Sequence, residues 1–169
     1  MIPFPLSNTM ACTARILCLL MLACLPVAQA AEPVSADDLR QIEQAERLVD
    51  SWPDQEGALS GAQRIIDDLL ARNPAAGDAY RIRAMILMRD GYLHGETYEP
   101  EALERAERSV DEAIAKSTDN DRAYVLRANL YRLTGRADRA REDLRRAESL
   151  KPDNPWIQFE WSDLLFADK

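Results

Sequence analysis

The segments "DAYRIRAMILMRDG" (78–91) and "RAYVLRANLYRLTG" (122–135) align without a gap at an offset of 44 residues. Tyr80 meets Tyr124, Arg83 meets Arg127, Ala84 meets Ala128 and Gly91 meets Gly135. The stretches that follow repeat at a different interval. "AERSVDEAIAKSTDN" begins at Ala106 and "AREDLRRAESLKPDN" at Ala140, an offset of 34; a third copy, "AQRIIDDLLARNPAA", begins at Ala62. Self-similarity on this scale constrains the fold more than any single motif. One such unit cannot bury its own apolar face, so it must stack on its neighbours.

Within each copy the apolar residues recur three and four apart, the period of a helix. Ile65, Ile66, Leu69 and Leu70 form one such stripe. Leu39, Ile42, Leu48, Val49 and Trp52 form another, opened by Ser35 with Asp38 three residues on, the pairing of a helix N-terminal cap. Helices are predicted near 35–52, 58–73, 76–90, 100–117, 121–134, 137–150 and 155–167. No stretch alternates with period two over the β-branched residues a strand favours. The expected fold is all-α, a short solenoid of stacked helix pairs with about seven helices.

The residues at 121–154 resemble the tetratricopeptide repeat, a helix–turn–helix unit of 34 residues. Ala128 falls where that family has Gly or Ala, and Tyr131 on its aromatic site. Ala140, Leu144 and Ala147 fall on the small-large-small face of the second helix, and Pro152 on the closing proline. The copy at 77–120 keeps Tyr80, Ala84, Leu87, Ala106, Val110 and Ala113, and departs at Thr118, where proline is expected. The first copy matches in its second helix, through Ala62, Ile66, Leu69 and Pro74. A long turn before an Ala-rich helix also resembles the related Sel1-like repeats, but the uninterrupted copy at 121–154 favours the tetratricopeptide repeat. The resemblance covers about 58–154 and implies a right-handed α-solenoid.

The resemblance also implies a concave groove lined by the first helix of each pair. The family's groove positions fall on Asp78, Arg81, Met85, Met88 and Arg89, then on Arg122, Val125, Asn129, Arg132 and Leu133, and in the last helix on Trp156, Phe159 and Asp163. Arginine can grip a carboxylate through two parallel hydrogen bonds, and methionine adapts to irregular apolar partners. The expected bed is similar in type, though not residue for residue, to the family's carboxylate-clamping grooves. In the last helix Ile157, Trp161, Leu164 and Leu165 make a stripe expected to face inward. Phe159 and Phe166 fall elsewhere, either at the groove's end or on a surface open to another protein or a second copy of the chain.

The ten residues by which the two offsets differ fall at "GYLHGETYEP", 91–100, between the two helices of the middle repeat. Gly91 is expected to end one helix in the left-handed conformation, and Pro100 to begin the next. Glu101 and Glu104 then stand where the helix dipole favours anions. This loop holds the chain's single histidine, His94, beside Glu96. The plainest reading is a loop whose Tyr92, Leu93 and Tyr98 fold back on the helix pair; a contact loop presenting Tyr92, His94 and Tyr98, and a metal or acid–base site built on His94 and Glu96, are the alternatives. The metal site lacks further ligands, because no second histidine follows and all three cysteines lie before residue 31. No catalytic residue, metal or cofactor is expected.

Before the repeats, Arg15 precedes an apolar run from Ile16 to about Ala28, and Ala28-Gln29-Ala30 is a small-x-small cleavage signal. This is the three-part pattern of a secretory signal peptide over 1–30, with Met1 or Met10 as its start. It is shorter than the ~20 apolar residues a spanning helix needs. Met21-Leu22-Ala23-Cys24 loosely resembles a lipobox, which gives a second reading as a lipoprotein anchored at Cys24. The expected organisation is a leader over 1–30, a helix and linker over 31–57, and a repeat domain over 58–169. The net charge is −8. Arg122 to Lys151 carries nine basic and four acidic residues, while the rest of the mature chain is acidic. That balance argues against general nucleic-acid binding and suits charge-directed docking. The sequence therefore points to a periplasmic or secreted bacterial scaffold with a protein or peptide partner.

Overall fold

A computed structural model describes residues 33–93 and 97–167. The expected leader with Cys24 and Ala30, together with His94, Gly95 and Glu96, lies outside the described residues. The described residues belong to one compact unit, Ala31–Lys169. It contains α1 (Ala36–Asp50), α2 (Ala58–Arg72), α3 (Gly77–Asp90), α4 (Pro100–Lys116), α5 (Asp121–Leu133), α6 (Ala137–Leu150) and α7 (Pro155–Ala167). These bounds fall within two residues of those predicted. Between α3 and α4, β1 (Tyr92–Leu93) pairs antiparallel with β2 (Thr97–Tyr98), Tyr92 opposite Tyr98. This corrects the expectation of no strand; two residues per strand are too few to show a period in sequence.

The helices pack as α1 on α2, α3 on α4 and α5 on α6, with α7 against both α5 and α6. The first helices also pack in series, α1 on α3, α3 on α5 and α5 on α7. Alanines sit at the crossings: Ala45, Ala62, Ala84, Ala106, Ala113, Ala123, Ala140 and Ala147 are all fully or almost fully buried. Small residues let the axes approach, and Ile66, Leu69, Ile82, Leu130, Leu144, Ile157 and Leu164 fill the space between. Burial of each such large side chain is worth roughly 1.5–3 kcal/mol.

Two members of the predicted stripes face water instead. Leu39 is 52% exposed because the inward stripe of α1 runs Asp38, Ile42, Ala45 and Val49. Asp38 takes the inward place at the first turn because it closes a reciprocal cap with Ser35, each side chain accepting from the other's backbone N–H. Leu165 is 63% exposed; it follows buried Leu164 by one residue, and one residue turns the side chain about 100° around the helix.

Gly91 corrects a second expectation. Its backbone is not left-handed (φ −84°, ψ 6°), whereas Gly135, the equivalent residue after α5, is (φ 74°). Gly91 is required for space: a methyl group there would overlap the Ala102 Cβ at the start of α4. Pro100 opens α4 as predicted, and the Glu99 backbone N–H donates to the Gly91 carbonyl (2.8 Å), which closes the base of the inserted loop.

Three asparagines tie each repeat to the next in the same way. Asn73 donates its side-chain amide to Asp38 (3.2 Å), Asn120 to Asp78 (2.9 Å) and Asn154 to Asp121 (2.7 Å). In each case the acceptor lies in the first turn of the preceding first helix. The same asparagines accept, through Oδ1, from the backbone of the turn that starts the following helix, at Ala75, Ala123 and Trp156. A second repeated bond lies at the outer edge. The Tyr80 hydroxyl donates to the Pro74 carbonyl (3.2 Å) and the Tyr124 hydroxyl to the Thr118 carbonyl (3.4 Å). Thr118 can stand in for proline here because its backbone oxygen makes the contact.

Candidate functional site

A groove of about 450 Å³ runs across the first helices, and α2, α4 and α6 contribute nothing to its lining. Glu46 and Asp50 of α1 stand at one end. Arg81, Met85, Met88 and Arg89 of α3 follow, then Arg122, Val125, Leu126 and Asn129 of α5, and Trp156, Phe159 and Glu160 of α7. Tyr98 of the inserted hairpin forms part of the wall, and Asn154 closes the α5–α7 side. The spacing explains the lining: Arg81, Met85 and Met88 are four and three residues apart, so one face of α3 presents all three.

Nine of the thirteen predicted groove residues are brought together in this lining, and Asp78, Arg132, Leu133 and Asp163 are not. Leu133 packs against the apolar cluster shared by α3, α4 and α5. It lies at the last turn of α5, where the hairpin and α4 close over the helix pair. Arg132 turns toward α7, where its Nε is 3.4 Å from Glu160 and its Nη2 3.3 Å from Asp163.

Two of the groove arginines, Arg81 and Arg122, are held by carboxylates of the chain itself. Arg81 is 2% exposed. Its Nε and Nη2 donate to the two oxygens of Asp78 (2.5 and 2.9 Å), and its Nη1 donates to Glu46 (3.0 Å). Arg122 donates to both oxygens of the same Glu46. Burial opposes the charge on Asp78 and Glu46, yet the hydrogen bonds and charge of Arg81 outweigh it and hold both carboxyls below the usual range. The same partners outweigh burial at Arg81 and raise its pKa. Arg81 and Arg122 thus already have carboxylate partners within the chain. A buried guanidinium is retained only when its charge is met, and here Glu46 and Asp78 meet it.

The α7 end is different. Asn129 donates to Glu160 (2.9 Å) and Arg132 faces both Glu160 and Asp163, one cation for two carboxylates. Burial pushes the Glu160 carboxyl up; Arg132 opposes this and nearby Asp163 adds to it. Beside them Trp156 and Phe159 are 58% and 55% exposed, packed edge to face with ring centroids 6.0 Å apart.

Sequence alone does not mark Glu46, Asp50, Leu126, Asn154 or Glu160, which also line the groove. The missing signal was register. Family groove positions were not extended onto α1, although Glu46 lies 35 residues before Arg81, close to the repeat length. In the hairpin, Tyr92 stacks on Tyr98 (5.1 Å between centroids) and meets Trp52 edge on (6.1 Å). Arg89 lies over the other side of this aromatic group, 5.8 Å from the Trp52 ring. Tyr98 packs against the α3–α5 cluster and reaches the groove; Tyr92 does not line it. Among the described residues no three of His, Cys, Asp and Glu are grouped as metal ligands, and no helix is long and apolar enough to cross a membrane.

Comparison with known proteins bears on the fold. Residues 121–164 match the family model described as "Tetratricopeptide repeat". No curated protein matches significantly. Among solved structures the chain is similar to the second tetratricopeptide-repeat domain of human RPAP3 in complex with the HSP70 peptide SGPTIEEVD. The match has 19% identity, 75% of this chain, 96% of that one and a TM-score of 0.55. It is also similar to the Arabidopsis OM64 tetratricopeptide-repeat domain, at 18% identity, 75% and 98% coverage and a TM-score of 0.55. A third similar structure is the first such repeat domain of Spaghetti (RPAP3) bound to the HSP90 peptide SRMEEVD, at 17% identity, 76% and 95% coverage and a TM-score of 0.59. Residues 121–164 thus match the tetratricopeptide repeat itself, and the helical array that contains them has the all-α solenoid fold of tetratricopeptide-repeat domains.

Proposed function

We propose that this chain is a non-catalytic protein–protein interaction module of the bacterial cell envelope, a scaffold that holds a segment of a partner in the groove of α1, α3, α5 and α7. The observation that carries the reading is the groove itself, with Trp156 and Phe159 more than half exposed at one end. Exposed aromatic anchors in a concave site are the usual centre of a protein interface. Two solved structures of similar fold have short peptides bound, which supports the same use of this surface. The envelope setting rests on the leader-like residues 1–30, with cleavage near Ala30 and release to the periplasm or medium; anchoring through Cys24 is the alternative.

A photo-crosslinking side chain at Met85 tests the groove against one at exposed Arg145 of α6. A discrete crosslinked partner from position 85 alone is expected; crosslinks from position 145 alone would refute the reading. Intact-mass measurement of the exported protein should show a chain starting at Ala31; a diacylated Cys24 would move it to a membrane anchor. A homo-oligomer joined through α7 is the second reading, favoured by exposed Leu165, and light scattering distinguishes it.

A further inference from the structure

We infer that the groove receives an apolar segment carrying net positive charge, and that it is not built for an acid-terminated peptide. The inference rests on the groove being the partner-binding surface, and names the chemistry of the partner.

The charges decide it. All three guanidinium nitrogens of Arg81 donate to Asp78 or Glu46, its Nη1 also to the Met85 sulfur, and Arg122 donates to Glu46. An incoming carboxylate would have to displace Glu46 or Asp78 and leave a carboxylate without its counter-ion, which is strongly unfavourable away from water. Arg132 already faces two carboxylates. Asp50 ends α1 and makes no ion pair among the described residues; the helix dipole adds negative potential there. Arg89 alone lacks a carboxylate among the described residues, and it lies at the rim over Trp52. The lining balances Glu46, Asp50 and Glu160 against Arg81, Arg89 and Arg122, and Asp78 and Asp163 beside it outnumber Arg132, in a chain of net charge −8 that attracts cations from a distance.

The apolar surface agrees. Trp156 and Phe159 are both more than half exposed, and an aromatic ring favours an ammonium or guanidinium group over its face. Met85, Met88 and Val125 continue the same strip, and thioethers adjust to side chains of varied shape. A segment that alternates aliphatic or aromatic residues with lysine or arginine matches both properties.

The test uses the full chain as bait for a random dodecapeptide library displayed with free carboxyl termini. The double variant Trp156→Ala/Phe159→Ala serves as counter-bait. Both residues are more than half exposed, so the variant should keep its helical signal. The groove-dependent pool is expected to be enriched in lysine and arginine among apolar residues. Selected peptides should bind the double variant about tenfold or more weakly, and should weaken as salt is raised. Asp50→Asn, at an exposed site, should weaken them further still. A groove-dependent pool rich in Asp and Glu, or one with no charge preference, overturns the inference and leaves the groove reading standing. A pool that binds parent and double variant equally overturns both.

Discussion

Substituting alanine at Gly91 should expose how closely α3 and α4 are fitted. Its φ of −84° suits any residue, so no backbone strain enters. The cost is steric. A methyl group at Gly91 would overlap the Ala102 Cβ, while standing 3.3 Å from the Leu87 carbonyl oxygen and 3.7 Å from the Ala102 Cα. Carbon atoms rest about 3.5–4.0 Å apart. The start of α4 would therefore have to move away by on the order of 1 Å, against the packing of Leu103, Ala106 and Val110. Overpacking of this kind costs about 1–3 kcal/mol, and Gly91→Ala is expected near the upper end. The partner change Ala102→Gly removes the obstructing atom. Alone it should cost up to about 1 kcal/mol through helix propensity. Together the two should cost scarcely more than Ala102→Gly alone, a coupling of roughly 2–3 kcal/mol between neighbours, close to the whole cost of Gly91→Ala. Urea unfolding followed by helical circular dichroism gives all four corners of the cycle. Additive losses, within about 0.5 kcal/mol, would refute the steric account of Gly91.

Other expectations follow from the same packing and charge. Ala140→Leu overfills the buried crossing of α5 and α6 and should lower stability by about 1–3 kcal/mol; an unchanged melting temperature would place the repeat register elsewhere. Asn154→Ala deletes the donor to Asp121 and the acceptor for the Trp156 N–H, a loss of roughly 1–3 kcal/mol by thermal melting. Asn154→Asp should fail to restore it, since a carboxylate would face Asp121. Acid should destabilise the fold. The backbone N–H of Ser35 holds Asp38 low, the Arg136 hydrogen bond holds Glu107 low, and Arg81 holds Asp78 and Glu46 low against burial. A lowered native pKa stabilises fully above the unfolded value, near pH 4, and the gain is lost as pH falls through the native value. Glu160 runs the other way, since its raised carboxyl is relieved as pH falls, but it is one group against four. A melting temperature that rises steadily from pH 6 to pH 3 would contradict this.

Much of the architecture could be read before any coordinates, because helix and repeat leave different periods in the chain. The offset change from 44 to 34 located the inserted hairpin, and the alanines at 84, 106, 128 and 140 marked helix crossings that the structure buries. What the pattern hid were matters of phase and of pairing. Leu39 and Leu165 are apolar and correctly spaced but sit one residue off the buried line. Gly91 carries the same letter as Gly135 and answers a different need, space rather than a left-handed turn. The arginines of the groove were visible as charges. Asp78, three residues before Arg81, was visible too, but Glu46 was not, because it lies 35 and 76 residues from the arginines it holds. A resemblance based on groove position supplies the cation and says nothing of what already neutralises it.

The three asparagine links also bear on how the array comes apart. A stack of repeats behaves as a row of coupled units, and the strength of each junction decides whether the row melts together or frays from its ends. Here each junction is crossed by the same two-sided amide, at Asn73, Asn120 and Asn154. Cutting an outer link frees only a terminal element. Cutting the one at Asn120 weakens the junction between α1–α4 and α5–α7, which the apolar cluster of α3, α4 and α5 still holds. Hydrogen exchange is then expected to show the amides of α1–α4 and of α5–α7 opening with free energies further apart than in the parent chain. The floor of the groove spans that same junction, since Arg122 on one side shares Glu46 with Arg81 on the other. The chain thus pins its halves together beneath the surface it offers to a partner, and a bound segment lying across both halves would act as a fourth link.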